Sequence, residues 1–146
     1  MTSGLALIVA AILAPIAGLH FLWALGTPWP FNSERLLAQA VGGPGLDPKI
    51  GPTAKCGVTI VAAGAILISA ILPLFYARVL PSPLPYQLVF WLLAVQTAVF
   101  LLRGCLGYMS LSAMPQIEPF RTYNRRFFNP LIIALGLACA VILLAD

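Results

Sequence analysis

The chain has 146 residues, of which 61% are hydrophobic and 8% are charged, and its mean hydropathy is +0.99. These values lie far outside the range of soluble globular proteins and predict a protein of the lipid bilayer. The net charge of +4 is small, and the chain lacks the base-contact patterns of nucleic-acid-binding proteins, so no nucleic acid partner is expected.

Four apolar stretches follow one another along the chain, at residues 4–26, 54–77, 86–109 and 128–145. Each approaches or exceeds the length of about 20 residues that a helix needs to cross a bilayer. The sequence therefore predicts an all-α fold, a four-helix transmembrane bundle forming one domain over residues 1–146. No Lys or Arg precedes the first span, which is unlike a signal peptide, so this span is expected to be retained. Pro15 and Pro73 fall inside spans, and each should bend its helix or release a carbonyl that another group must satisfy.

The first connection, residues 27–53, contains a predicted short helix at about 33–41. Ser33 can cap its start and Gly42 can end it. Its apolar face is predicted to consist of Leu36, Leu37, Ala40 and Val41. We expect this helix to lie on the membrane interface. Two interpretations stay open: a lid that covers the ends of the bundle, or a gate over a cavity.

Basic residues are concentrated on one side of the predicted bundle. Arg78 alone lies on the other side, against Arg35, Lys49, Lys55, Arg121, Arg125 and Arg126. Lys and Arg in short loops favour the cytoplasmic side. We therefore expect a protein of the cytoplasmic membrane with both termini outside, in contact with membrane lipid, including anionic lipid.

Two polar side chains are predicted at one depth in the membrane. His20 and Arg103 each lie six residues before the end of a predicted span, and both spans run in the same direction. At 1.5 Å per residue this is about 9 Å from the cytoplasmic boundary. Gln96 and Gly107 share the helix face of Arg103, and this polar face should point into the bundle.

The predicted spans contain no Asp or Glu, so the group that pairs with Arg103 must come from elsewhere. Three partners stay open: Glu34 or Glu118 folding back from a loop, carbonyls released by a kink, and a lipid phosphate or bound anionic ligand. The simpler alternatives are an Arg103 side chain that extends to the lipid headgroups and a neutral His20 that forms an interhelical hydrogen bond.

The usual catalytic signatures do not occur. The chain has no HExxH, GxSxG, CxxC or Gly-rich phosphate loop, and its three cysteines lie on three different spans, at Cys56, Cys105 and Cys139. A single histidine makes a poor metal site, so no metal is expected, and no cofactor is assigned. His20 and Arg103 in one cavity would still allow acid/base chemistry, with Arg103 holding an anionic group while His20 moves a proton.

Two blocks of the sequence resemble a known family. They are "LHFLWALGTPWPFNSERLLAQAVGGPG", residues 19–45, and "FRTYNRRFFNPLIIALGL", residues 120–137. Both are similar to a family of small bacterial four-span membrane proteins catalogued as a domain of unknown function. The matching positions are His20, Trp23, Ala24, Leu25, Gly26, Trp29, Pro30, Asn124, Arg125, Arg126, Phe127 and Pro130. The resemblance implies a four-helix membrane fold and supplies no activity.

These observations predict a binding or accessory module with a polar pocket near the cytoplasmic side. The pocket is expected to take an anionic amphiphile or a partner membrane protein, and its predicted lining is His20, Trp23, Gln96, Arg103, Tyr108, Asn124 and Arg125. The alternative is a membrane-embedded enzyme that acts on a lipid-soluble substrate, with His20 as acid/base and Arg103 as anion holder. A homo-oligomer or a larger membrane complex stays open, and a transporter is disfavoured because the four spans show no internal repeat.

Overall fold

The computed structural model describes residues 1–43, 46–47, 49–109 and 117–145, and within these residues it contains helices and no strand. The α-helices are α1 (Thr2–Ala24), α2 (Glu34–Val41), α3 (Pro52–Tyr76), α4 (Tyr86–Leu106), α5 (Phe120–Tyr123) and α6 (Asn129–Leu144). A π-helical segment, Asn124–Phe128, joins α5 to α6. The prediction of an all-α fold is confirmed. Pro44 and Gly45, at the end of the first resembling block, lie outside the described residues, as does Asp146.

Four helical segments are long and apolar enough to cross a membrane: Thr2–Ala24, Pro52–Tyr76, Tyr86–Leu106 and Phe120–Leu144. The chain is an integral membrane protein with the four spans that its sequence predicts. The fourth membrane-spanning segment begins at residue 120, whereas hydropathy placed its start at 128. The reason is that three arginines lower the hydropathy of the first part of this segment, namely Arg121, Arg125 and Arg126. Their side chains are exposed, so the helix continues through them.

The bundle is built from two tightly packed helix pairs. α1 packs mainly against α3, and α4 mainly against α6, while smaller contacts of α1 with α6 and of α3 with α4 join the pairs. Val9, Leu93 and Ile142 are fully buried where the helices meet. The end where α1 and α4 end and α3 and α5 begin carries most of the Lys and Arg residues, and we call it the basic end.

Glycines allow α4 and α6 to approach closely. A methyl group added at Gly136 would lie 2.8 Å from Leu101 Cδ2, and one at Gly107 would overlap the amide of Asn129. Small residues at such positions let neighbouring backbones pack closely, which is a main source of helix association in membranes. The contact also fixes Asn129 against α4.

Pro73 releases a carbonyl inside α3, as its position in the span predicts. Proline has no N–H, so the carbonyl of Ser69, four residues earlier, loses its usual helical donor. The Nε2 group of Gln96 on α4 donates to this Ser69 oxygen at 2.9 Å. Gln96 is buried, and its hydrogen bond connects α4 to α3.

Replacing Gln96 with leucine is expected to lower the free energy of unfolding by about 1 kcal/mol, because the Ser69 carbonyl is left without a donor. Pro73→Ala returns a backbone N–H to this carbonyl, so the cost of Gln96→Leu should fall in the Pro73→Ala background. A double-mutant cycle on thermal unfolding measures the difference. Equal costs in the two backgrounds would contradict this role of Gln96.

The short helix α2 forms as its sequence predicts. The Ser33 hydroxyl accepts the Leu36 N–H at 3.3 Å, and Gly42 ends the helix in the left-handed region with φ of 72°. The buried face differs from the prediction, since it consists of Leu37, Ala38 and Ala40, while Leu36 is 49% exposed. The reason is that α2 packs against α5, a neighbour that hydropathy alone does not reveal.

Gly42→Ala is expected to loosen α2 and to cost about 1 to 2 kcal/mol. The left-handed conformation disfavours a side chain by this amount, and a methyl group would lie 2.9 Å from the ring of Phe120. Limited proteolysis near the end of α2 should therefore speed up. Gly43→Ala is the matched control, because a methyl group there meets only Val41, at 3.7 Å. Equal cleavage of the two variants would show that Gly42 does not fix α2.

Candidate functional site

A cavity of about 510 Å³ lies at the basic end, between α1, α2 and α3. We call it the α1–α3 cavity, and its volume falls within the range of ligand pockets in proteins. Its polar and charged lining consists of His20, Trp23, Glu34, Lys55, Cys56 and Thr59, and its apolar wall includes Leu37, Ala38, Val41, Val58 and Ala62. The helix α2 therefore forms one wall of a cavity and does more than cover the ends of the bundle.

The imidazole of His20 is held by its own helix. Its Nδ1 lies 2.8 Å from the carbonyl oxygen of Ile16, and since a carbonyl only accepts, Nδ1 carries the proton. In the neutral form of the ring, Nε2 keeps a lone pair. The ring also packs on Trp23, with 4.7 Å between the ring centroids, and Trp23 Nε1 donates to the Trp29 carbonyl at 2.7 Å. The interhelical hydrogen bond suggested for His20 is thus a bond within α1.

An ion pair stands at the edge of the cavity. Lys55 Nζ on α3 lies 4.0 Å from Glu34 Oε2 on α2, and the two side chains are 29% and 67% exposed, respectively. A contact this long and this exposed contributes little to stability. The ammonium group therefore has a carboxylate partner that can be replaced at small cost.

Cys56 and Thr59 complete the polar lining from α3. The Thr59 hydroxyl donates to the Lys55 carbonyl at 2.8 Å, and the Cys56 thiol is free. Among the described residues, no three His, Cys, Asp or Glu side chains are grouped so that they could hold a metal ion. The cavity is thus lined by an ammonium, a carboxylate, an imidazole, a thiol and a hydroxyl group.

Arg103 lies in a separate polar group, where two amides hold it. Its Nη1 donates to Asn129 Oδ1 at 2.9 Å and its Nη2 donates to Asn124 Oδ1 at 3.0 Å. We call these three residues the Arg103 centre. Asn129 is fully buried and Asn124 is 4% exposed, so neutral oxygens stabilise a cation at the end of α4.

The two loop carboxylates suggested as partners of Arg103 are engaged elsewhere. Glu34 pairs with Lys55, and Glu118 accepts both the backbone N–H and the hydroxyl of Thr122. The suggestion that Glu34 or Glu118 folds back onto Arg103 is therefore wrong, because each carboxylate has a nearer donor.

The π-helical segment explains how Asn124 and Asn129 reach the same cation. In an α-helix, side chains five residues apart point about 140° away from each other, whereas the i→i+5 hydrogen bonds of a π-helix bring such residues together. The Asn129 N–H bonds to the Asn124 carbonyl, five residues earlier. This leaves the Arg125 carbonyl free for the Tyr108 hydroxyl, which donates to it at 3.1 Å. Pro130, which lacks an N–H, favours this break in the α-helical pattern.

The seven predicted site residues thus fall into separate groups. His20 and Trp23 line the α1–α3 cavity, and Arg103 bonds to Asn124. The remaining three make other contacts: Tyr108 with Arg125, and Gln96 with Ser69. Of the seven, His20 and Trp23 line this cavity, and a pocket lined by all seven stays a prediction. Equal depth did not bring His20 and Arg103 together, because α1 packs mainly on α3 and α4 mainly on α6.

Sequence reasoning missed several residues that the structure brings to these groups. Asn129 was overlooked, although an asparagine before Pro130 and five residues after Asn124 is the available signal of a π segment. From the sequence, Lys55 was assigned only to the charge asymmetry that orients the protein in the membrane. Glu34 was suggested only as a partner of Arg103. No signal within α3 marks Cys56 as a cavity residue.

Comparison with known families places the chain in one of them. A family model described as a protein of unknown function (DUF3995) matches residues 13–139. The chain belongs to the DUF3995 family. The DUF3995 match includes the residues of the α1–α3 cavity and of the Arg103 centre, and it confirms the resemblance seen in the sequence. No curated protein and no solved structure matches the chain.

Proposed function

We propose that this DUF3995 protein is a membrane-embedded binding module that holds an anionic amphiphile in the α1–α3 cavity. The observation that carries the proposal is the composition of the cavity wall. One side offers the Lys55 ammonium, while the rest is largely apolar. An amphiphile needs this combination, because its headgroup must be hydrogen-bonded and its chain must be buried.

The headgroup position follows from Lys55. Its side chain is 29% exposed and lines the cavity, while its partner Glu34 is 67% exposed. A carboxylate at the end of an acyl chain would replace Glu34 beside the ammonium, and Glu34 would turn to water. Such charge-assisted hydrogen bonds are about twice as strong as neutral ones.

The chain position follows from α3. Val58 lines the cavity and is 55% exposed, so the cavity wall reaches the outer surface of a membrane-spanning helix. Ala62 lies one helical turn further along the same face and also lines the cavity. An acyl chain held by Lys55 would run along α3 towards the middle of the bilayer.

Tryptophan fluorescence tests the proposal. Trp29→Phe and Trp91→Phe leave Trp23 as the one tryptophan of a chain that has three, and Trp29 accepts from Trp23 through its backbone, so that bond is kept. In lipid nanodiscs, a brominated fatty acid should quench Trp23 in a saturable manner. The protein that keeps only Trp91 is the control and should show weak, linear quenching. Linear quenching of both proteins with the same slope would contradict a bound amphiphile.

We further propose that the basic end faces the bacterial cytoplasm and that both termini lie outside. The support is the excess of Lys and Arg in the loops of the basic end, because such loops favour the cytoplasmic side. A cysteine placed at Thr2 should react with a membrane-impermeant maleimide added to whole cells, and a cysteine at Ser33 should not. The background protein carries serine in place of Cys56, Cys105 and Cys139. The reverse labelling pattern would overturn this orientation.

An enzyme acting on the bound amphiphile is the second candidate, favoured by the Nε2 lone pair of His20 in the cavity. Arg103 does not line this cavity, so Lys55 takes the part of anion holder that the sequence assigned to Arg103. Mass spectrometry of an added fatty acid ester should then detect hydrolysis that His20→Gln abolishes. An unchanged ester would leave binding as the sole function of the cavity.

A further inference from the structure

We infer that the Arg103 centre is a second binding site, separate from the α1–α3 cavity, and that it binds a phosphate group. The inference rests on the charge, the burial and the depth of Arg103. It does not depend on the function proposed for the cavity, because no residue of the Arg103 centre lines that cavity.

The charge of the Arg103 centre favours an anionic ligand. Arg103 donates to two neutral amide oxygens, and among the described residues the carboxylates of Glu34 and Glu118 are held by Lys55 and Thr122. A cation removed from water costs much free energy unless an anion accompanies it. The amides orient the guanidinium but do not neutralise it, so the site still favours an anion.

The Arg103 centre also keeps hydrogen-bond donors that its amides do not use. A guanidinium has five N–H donors in a planar arrangement, and the two amides accept from Nη1 and Nη2 only once each. The Nδ2 group of Asn129 is also buried and has no hydrogen-bond partner in the described part of the chain. Several donors beside one cation suit an anion with several oxygens, and arginine binds phosphate through two parallel hydrogen bonds.

Arg103 lies at a depth that a phosphate group can reach. Arg103 lies three residues before the end of α4 at Leu106, which is about 4.5 Å along the helix axis. This depth borders on the polar headgroup region of a bilayer. Because Arg103 is only partly buried, a phosphate can reach it from the lipid or from water. The same phosphate chemistry therefore has two sources, a phospholipid headgroup and free inorganic phosphate.

Native mass spectrometry tests the site with defined probes. The purified protein is mixed in detergent with phosphatidylglycerol, or with diacylglycerol, which has the same chains and no phosphate. We expect phosphatidylglycerol to remain bound, and diacylglycerol to be retained at least tenfold less, the effect of a charge-assisted hydrogen bond of about 1.4 kcal/mol. Competition by inorganic phosphate at millimolar concentration would identify the free anion as the source, and its failure would identify the lipid.

Two variants and two controls make the result specific. Arg103→Gln removes the cation, and Asn129→Asp supplies an internal carboxylate that pairs with Arg103 with almost no change in shape. Both should lower phosphatidylglycerol retention at least tenfold, and the second is expected to keep the fold even if the first does not. Arg126→Gln removes an exposed charge of the same segment and should have no effect. In the protein that keeps only Trp23, Arg103→Gln should leave quenching by the brominated fatty acid unchanged, which separates this site from the cavity.

Equal retention of phosphatidylglycerol by the unchanged protein, Arg103→Gln and Asn129→Asp would overturn the inference. Equal retention of diacylglycerol and phosphatidylglycerol would also overturn it, because the phosphate would then play no part. A loss of retention in Arg126→Gln as large as that in Arg103→Gln would show a diffuse surface charge and no defined site.

Discussion

Replacing Asn129 with alanine is expected to lower the free energy of unfolding by about 2 to 3 kcal/mol. The change removes one of the two oxygens that accept from Arg103, and a hydrogen bond to a charged group contributes about 1.5 to 3 kcal/mol. It also empties a fully buried position. Thermal unfolding in detergent, followed by circular dichroism, measures the loss.

Two further variants isolate the cause. Asn129→Asp keeps an oxygen for Arg103, so its stability should stay close to that of the unchanged protein. Gly107→Ala leaves every polar group in place, but the added methyl group overlaps the Asn129 amide, so it should destabilise in the same direction. If Asn129→Ala proved as stable as the unchanged protein, the Arg103 centre would have no structural role.

Replacing Lys55 with glutamine is expected to weaken binding of a long-chain fatty acid about tenfold, through loss of a charge-assisted hydrogen bond. Glu34→Gln should act in the opposite direction. It removes the carboxylate that competes for Lys55, and since an exposed pair contributes at most about 1 kcal/mol, the gain should be about twofold to fivefold. Titration of the fluorescence of Trp23 measures both effects.

The matched control is Arg35→Gln, which removes an exposed charge next to Glu34. Arg35 does not line the cavity, so its replacement should leave fatty acid binding unchanged. Equal weakening by Lys55→Gln and Arg35→Gln would mean that the basic end attracts the anion without a defined contact. Weaker binding by Glu34→Gln would contradict the competition between Glu34 and the headgroup.

The secondary structure could largely be predicted from sequence, because the signals that determine it are local. Ser33 and Gly42 mark the two ends of α2, and the structure has both caps. The effect of Pro73 was also predictable, since a proline in the interior of a helix releases the carbonyl four residues earlier. The donor that satisfies this carbonyl, Gln96, was predicted to face into the bundle, but Ser69 was not predicted as its partner.

The grouping of polar residues could not be predicted, because it depends on which helices are neighbours. Periodicity gives the depth of His20 and Arg103 and the face of the helix on which each lies. It does not give the lateral arrangement of the helices, and a bundle that pairs α1 with α3 and α4 with α6 separates the two residues. We therefore expect the stability losses of His20→Leu and Arg103→Leu to be additive to within about 0.5 kcal/mol.

The role of Asn129 was hidden for a different reason. Its spacing of five residues from Asn124 places the two amides on different faces of an α-helix, and only the π-helical segment brings both to Arg103. Two features favour this segment. One is Pro130, and the other is the hydroxyl of Tyr108, a residue remote in sequence, which donates to the Arg125 carbonyl.

The central claim, that the α1–α3 cavity binds an anionic amphiphile, is tested most directly by photocrosslinking. A fatty acid that carries a diazirine in its acyl chain is irradiated with the protein in nanodiscs, and the modified peptides are sequenced by mass spectrometry. We expect modification of α3 between Val58 and Ala62, reduced about tenfold by Lys55→Gln and unchanged by Arg35→Gln. Modification spread evenly over the exposed faces of α1, α3, α4 and α6, and unaffected by Lys55→Gln, would contradict it.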